Sequence, residues 1–258
     1  MLKVRVIPTL LWKQFGLVKG IGFDSWRRVG AVLPAIKVYN QREVDELILF
    51  DISAHQLAND IDFESVKEFG QECFVPFTVG GGIACVEDVQ KLLRVGADKV
   101  CVNSSSYNHP ELLNDIANRH GSQCLIASID VRKDISTAKW YCFSDAGKKY
   151  TGIEVKSWAR EAEDRGAGEI LITSIERDGT FQGYDLDLIE AVVSAVKIPV
   201  IASGGAGNCQ HMVDAVKKAG ASAVAAASIF HFTELTPADI KLALQKEGIP
   251  VRLNFKIQ

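Results

Sequence analysis

The carboxylate of Asp130 ends an apolar run, "IASIDV", and an acid at the C-terminal mouth of a buried parallel strand is placed for general acid–base chemistry. A helix-capping or salt-bridged aspartate is the ordinary alternative. Two glycine clusters, Gly80-Gly81-Gly82 and Gly204-Gly205, each follow another apolar run. Each cluster is followed, one strand later, by small residues: Asn103-Ser104 in the first case and Ala227-Ser228 in the second. Glycine lets backbone N–H groups approach an oxyanion, and a following helix N-terminus adds a favourable dipole, so each set reads as a phosphate cradle. Glycines that merely permit tight turns would look the same singly. Their duplication at corresponding strand ends favours the cradles and suggests a ligand with two phosphates.

These residues need elements to hold them. Eight short apolar or β-branched runs, from "VRVIPTL" and "ELILFDIS" to "IPVIASG" and "SAVAAAS", alternate with amphipathic segments of helical period. Several of those segments end in glycine, as helices do, and Thr236-Pro237 forms a cap and first-turn pair before the last one. Near-continuous apolar strands imply burial on both faces, which indicates a single (β/α)8 TIM barrel rather than an open sheet. The stretch from Val75 matches the stretch from Ile198, and Glu46 falls on Glu169 at the same offset of 123 residues. This two-fold half-barrel repeat divides the single domain, residues 1–258, into halves at roughly 1–122 and 123–258. Two similar sites should then lie half a turn apart at the C-terminal face.

At 258 residues and 47% hydrophobic the chain can bury a sizeable core. Its 29 basic and 32 acidic residues give no electrostatic reason to expect nucleic acid or a membrane. The six cysteines form no CxxC pair and several lie in apolar runs, so they read as reduced thiols with no metal cluster. No cofactor is called for. Charges interrupt the apolar N-terminal stretch, and no run approaches the roughly 18 apolar residues of a membrane span, so a cytoplasmic protein is expected. His211 and His231 read as packing or capping residues, and nothing in the spacing decides whether the region of His55 touches substrate. Trp140–Tyr150 reads as an inserted hairpin.

The motifs "VGGGI", "ITSIERDGT", "GYD", "IASGGAG" and "SIFHF", with "VRL" near the end, closely resemble the cyclase subunit of imidazole glycerol phosphate synthase, of histidine biosynthesis. The resemblance runs in register from Met1 to Leu253. It implies a (β/α)8 barrel that docks a glutaminase subunit on its N-terminal face as a heterodimer. Ammonia then passes along the barrel axis to a bis-phosphorylated ribosyl-formimino carboxamide, which closes to imidazole glycerol phosphate and releases an aminoimidazole carboxamide ribotide.

Carried over by position, the family's second catalytic acid falls on Asp130 and its loop lysine on Lys19. One phosphate site falls on Gly82, Asn103 and Ser104, where the family usually has threonine at the last position. The other falls on Asp178, Gly179, Ser203, Gly205, Ala227 and Ser228, and Asp51 and Thr173 match as substrate contacts. Arg5, Glu46, Lys99 and Glu169 match the family's ring of charges at the barrel floor, an ammonia gate, and Asp98 beside it matches a partner contact. Strand parity points the four floor charges inward if the mouth residues point inward. A salt-bridge plug that only closes the floor is the plainer reading.

The family's first catalytic aspartate, in a motif of the type C-L-D-V-K-D-G-R, falls on Leu11 in "TLLWKQFGL". Leucine transfers no proton, and the neighbouring Trp12, Gln14 and Phe15 replace small, polar or charged positions. Trp12 and Phe15 are either core packing or a surface for another acceptor or partner. The combination of intact floor and altered mouth predicts a diverged copy that delivers ammonia to another acceptor, such as a sugar. Two alternatives stay open: a non-catalytic subunit that activates a glutaminase and conducts ammonia, and a phosphoribosyl isomerase with the same half-barrel repeat.

Overall fold

The computed structural model describes residues 2–14, 16–42, 44–53 and 61–253, so Phe15 and the region of His55 lie outside the described residues. Eight parallel strands close on themselves in the order β1 (Arg5–Lys13), β4 (Leu47–Asp51), β5 (Phe77–Gly80), β6 (Lys99–Val102), β7 (Leu125–Lys133), β10 (Glu169–Ser174), β11 (Val200–Ser203) and β12 (Ala223–Ala226), which pairs back to β1. This is the (β/α)8 barrel expected from the apolar runs. Four strands come from each repeat, so β1 and β7 lie diametrically opposite, four strands apart in either direction.

Alternation along each strand sorts the side chains into two layers. Ile7, Ile48, Cys101, Ile126, Leu171, Ile201, Ala223 and Ala225 pack on one another inside the barrel. The residues between them, such as Val6, Leu10, Leu49, Val100 and Ile170, pack outward against the helices. The helices are begun by side chains suited to the task. Asp185 caps α7 (Leu186–Val193), Asn208 caps α8 (Cys209–Lys217), and Thr236 with Asp239 forms a capping box on α10 (Pro237–Lys246).

Two hairpins rise from the rim. The expected one, β8 (Trp140–Ser144) and β9 (Lys149–Glu154), pairs with the extended end of β7. The other is absent from the sequence reading: β1 continues into β2 (Gly16–Ile21), which turns into β3 (Asp24–Gly30). Its turn, Gly22-Phe23, has both residues at positive φ (58° and 66°). Such turns are usually marked by Asn-Gly, and a phenylalanine there hides the signal. Trp12 resolves in favour of core packing. It is buried on the outside of β1, edge-on to Phe69 of α2 (Phe63–Glu72) with ring centroids 5.3 Å apart.

Candidate functional site

The C-terminal ends of the strands enclose a cavity of about 860 Å³. Of the mouth residues singled out from the sequence, Leu11, Lys19, Asp51, Gly82, Asn103, Ser104, Asp130, Thr173, Asp178, Gly179, Ser203, Gly205, Ala227 and Ser228 line it. The two glycine turns hold conformations open only to glycine. Gly81 sits at φ +104° with its missing Cβ directed into the Asp51 carbonyl, and Gly205 at φ +110° with its own directed into the Gly183 carbonyl. Each half therefore presents bare backbone to the cavity, as a phosphate cradle requires.

Asp130 stands at the centre of the arrangement, half-buried at the end of β7. Its Oδ2 accepts a hydrogen bond of 2.7 Å from Asn103 Nδ2, and Thr173, its register partner on β10, also bonds its side chain. Burial, followed by the negative charge of Asp178, pushes its carboxyl up to about 7 despite the opposing bonds from Thr173 and Asn103. A group of that proton affinity can both give and take a proton near neutrality. Opposite it, on β1, the side chain at the same cavity is Leu11, flanked in register by Phe50 of β4 and Val18 of β2. Among the described residues, the other carboxylates lining the cavity are Asp24, Asp51 and Asp178. Asp51 accepts from the backbone and hydroxyl of Ser53 at 2.9 and 2.6 Å, and Asp178 pairs with Lys19 at 2.5 Å.

The β2–β3 hairpin folds over this mouth. It carries Lys19, whose side chain is only 2% exposed, onto Asp178, and Gly22 donates its N–H to the Asp178 carbonyl at 2.9 Å. Farther along, the Arg27 guanidinium lies 3.7 Å from the centre of the Phe232 ring. Phe23 and Trp26 of the same hairpin line the cavity, as do Thr9, Phe50 and Ser128, none of which the sequence reading picked out. Strand parity, which puts Thr9 in phase with Leu11 and Ser128 in phase with Asp130, is the signal that could have found two of them.

Asn103 and Ser104 line the cavity beside Gly82 with side chains that already hold partners. The Asn103 NH2 group is engaged by Asp130 and not held open toward a cradle, and Ser104 Oγ accepts the Asp145 N–H at 2.9 Å, tying β6 to the second hairpin. Among the described residues, Ser228 Oγ, Asn103 Oδ1 and the hydroxyls of Thr9 and Thr78 are buried with no hydrogen-bond partner. His211 accepts the Gly207 N–H at 3.1 Å, a local bond at the start of α8. His231 is driven down to about 4 by burial and then by the charge of Lys19.

At the opposite end, Arg5, Glu46, Lys99 and Glu169 meet across the axis. Arg5 bonds Glu46 at 2.7 Å and Glu169 at 2.5 Å, and Lys99 bonds Glu169 at 2.6 Å and Glu46 at 3.2 Å. Each cation thus bridges both anions, and the ring spans the floor. Burial alone would lift the Glu169 carboxyl, but Arg5 and Lys99 outweigh it and hold it below its usual range. The same carboxylates hold the Arg5 guanidinium above its ordinary value against the opposing effect of burial. Asp98 is exposed beside the ring, where its carboxylate accepts the Phe77 N–H at 2.8 Å.

Among the described residues, no group of three or more His, Cys, Asp or Glu is arranged to hold a metal ion, and no helix is long and apolar enough to cross a membrane.

A family model described as "Histidine biosynthesis protein" matches residues 5–236. The imidazole glycerol phosphate synthase subunit HisF of Streptococcus mutans is 45% identical over 252 residues, covering 98% of this chain and all of that protein. Those of Streptococcus sanguinis and Microcystis aeruginosa are 44% and 43% identical, with 98% of this chain and all of each relative covered. With the barrel, the family model and full-length identity in agreement, the chain belongs to the HisF family of imidazole glycerol phosphate synthase subunits, among the histidine biosynthesis proteins.

Proposed function

We propose that this protein is an ammonia-using synthase subunit of the HisF type whose ammonia goes to an acceptor other than the formimino carboxamide, such as a phosphorylated sugar. In this reading a glutaminase docks beneath the barrel to form a cytoplasmic heterodimer. Ammonia enters through the ring of Arg5, Glu46, Lys99 and Glu169, with Asp98 contacting the partner. The two half-barrels act as one domain whose cradles, including Gly82, Ser104, Gly179, Ser203, Gly205, Ala227 and Ser228, hold the phosphates of the acceptor. Lys19, Asp51, Thr173 and Asp178 surround the reacting centre, and Asp130 moves the proton.

The observation that carries the reading is the contrast between the ends of one tube. The floor keeps four mutually paired charges, whereas the mouth holds one carboxyl of near-neutral proton affinity and faces it with leucine. Ring closure by two proton-transferring groups loses about 10²–10⁴-fold when one is gone. Placing Arg5, Glu46, Lys99 and Glu169 together in a partly buried ring entails desolvation of several kcal/mol per ion, roughly balanced by their pairing. A site with no use for the axis has no reason to retain it.

The same features accommodate a subunit that only activates its glutaminase and conducts ammonia, since Leu11 removes half of the proton chemistry. The isomerase alternative is disfavoured, because it has no need of the floor ring and the relatives at 43–45% identity are synthase subunits. Mass spectrometry after incubation with 15N-ammonium chloride separates the readings. The proposal expects label in a member of a panel of phosphorylated sugars and little in the formimino carboxamide product. Label in neither supports the conducting subunit, and rapid label in the imidazole product refutes the diverged role.

A further inference from the structure

Asn103 closes an inward-facing column on β6 and the residue after it, Lys99, Cys101 and Asn103, that runs from the floor ring to the cavity. Its side-chain amide has two ends with opposite chemistry. The nitrogen end donates to Asp130 Oδ2 at 2.7 Å. The oxygen end, Oδ1, is buried and has no partner among the described residues. An amide oxygen left so is costly, and it only accepts, so whatever satisfies it must bring an N–H or O–H. A phosphate dianion brings only acceptor oxygens and is repelled by that carbonyl. In this orientation Asn103 is therefore unsuited to the cradle role that its sequence position suggests.

We propose that Asn103 positions Asp130 through its amide nitrogen and receives an N–H of incoming ammonia on its amide oxygen. The inference rests on the ammonia-using reading above and adds the point at which ammonia is held. Ammonia has three N–H groups to offer and one lone pair that must stay free for attack. A single fixed acceptor beside Asp130 binds it without occupying that lone pair, and places the proton released after attack within reach of the carboxylate. The groups that share charge with Asp130 are Asp178 on the neighbouring loop, paired with Lys19, and the thiols and phenol of Cys101, Cys142 and Tyr107. Burial holds the last three neutral, so Asp178, Thr173 and Asn103 are the neighbours that set the behaviour of the buried carboxyl.

The test follows the carboxyl carbon of Asp130 by NMR in protein carrying 13C-labelled aspartate. In the unaltered protein burial and the charge of Asp178 are expected to place its midpoint well above the ordinary aspartate value, at about 7. Asn103→Leu removes the donor and is expected to move that midpoint upward. Asn103→Asp, which keeps the shape but replaces the donor with a like charge, is expected to move it upward as well. An unchanged midpoint in either folded variant overturns the positioning role. Ammonium chloride is then added at alkaline pH, where free ammonia is present, against sodium chloride at equal ionic strength. A saturable shift of the Asp130 signal is expected in the unaltered protein and its loss in Asn103→Leu. A shift retained in Asn103→Leu overturns the docking role alone, whereas no shift in the unaltered protein counts against the ammonia-using reading itself.

Discussion

Replacing Asp130 with asparagine is expected to stabilise the protein, and by an amount that grows with pH. The native carboxyl holds its proton up to about 7, against 3.8 for an ordinary aspartate. Between those values the folded state binds more protons than the unfolded state, so stability falls as pH rises through that window and levels off above about 7. Each tenfold change in proton affinity corresponds to about 1.4 kcal/mol, which sets a ceiling of roughly 4 kcal/mol on the penalty of an ionised Asp130. About half of that ceiling accrues between pH 5.5 and 8.5. Because the carboxyl opens onto the cavity, water screens part of it, and the expected growth is about 1–2 kcal/mol. Asparagine carries no charge at either pH and its amide can meet both the Asn103 NH2 group and Thr173. Urea denaturation of the two proteins at pH 5.5, 7 and 8.5 reads the difference directly, since every other titrating group cancels. An advantage that is constant across this range, or a variant less stable at pH 8.5, refutes the assignment of a raised proton affinity to Asp130.

Other consequences follow from the floor and the cradles. Lys99→Met leaves Glu46 and Glu169 sharing Arg5 alone and is expected to cost about 3–5 kcal/mol in urea denaturation, the usual penalty for breaking a buried pair from one side. Because Glu169 is held below its usual range, its contribution is fully present above an ordinary glutamate value of about 4.5 and fades as pH falls through its folded value, so Glu169→Gln should lose more stability at pH 7 than at pH 3. Gly205→Ala forces a Cβ into the Gly183 carbonyl at φ +110°. It should cost more than about 1 kcal/mol and weaken inorganic phosphate binding measured by calorimetry. A variant as stable and as tightly bound as the parent shows that the second cradle does not depend on close backbone approach.

The regular part of this molecule was legible because it depends on local pattern. β-branched runs, terminal glycines and the 123-residue offset between Glu46 and Glu169 lead to the barrel and to two corresponding turns. Parity carried further than expected. Arg5, Ile7, Thr9 and Leu11 face the axis, and the same alternation sends Trp12 outward onto Phe69, which settles a residue that composition left open between core and surface. What stayed hidden depends on contacts between distant segments or on rare backbone choices. The β2–β3 hairpin turns through Gly22-Phe23, where a bulky residue adopts a conformation that asparagine or glycine usually signals. The partner of the Asn103 amide nitrogen is decided by which β7 side chain lies across the strand gap, which neither strand-end composition nor motif position reports.

The proposed role rests on Leu11 facing Asp130 and leaving the mouth without ring-closing chemistry. Turnover of the formimino carboxamide ribotide with saturating ammonium, followed by appearance of imidazole glycerol phosphate, tests it most directly in the unaltered protein and in Leu11→Asp. Barely detectable turnover is expected in the first and a gain of about 10²-fold or more in the second. Brisk turnover by the unaltered protein, reduced or unmoved by Leu11→Asp, contradicts it.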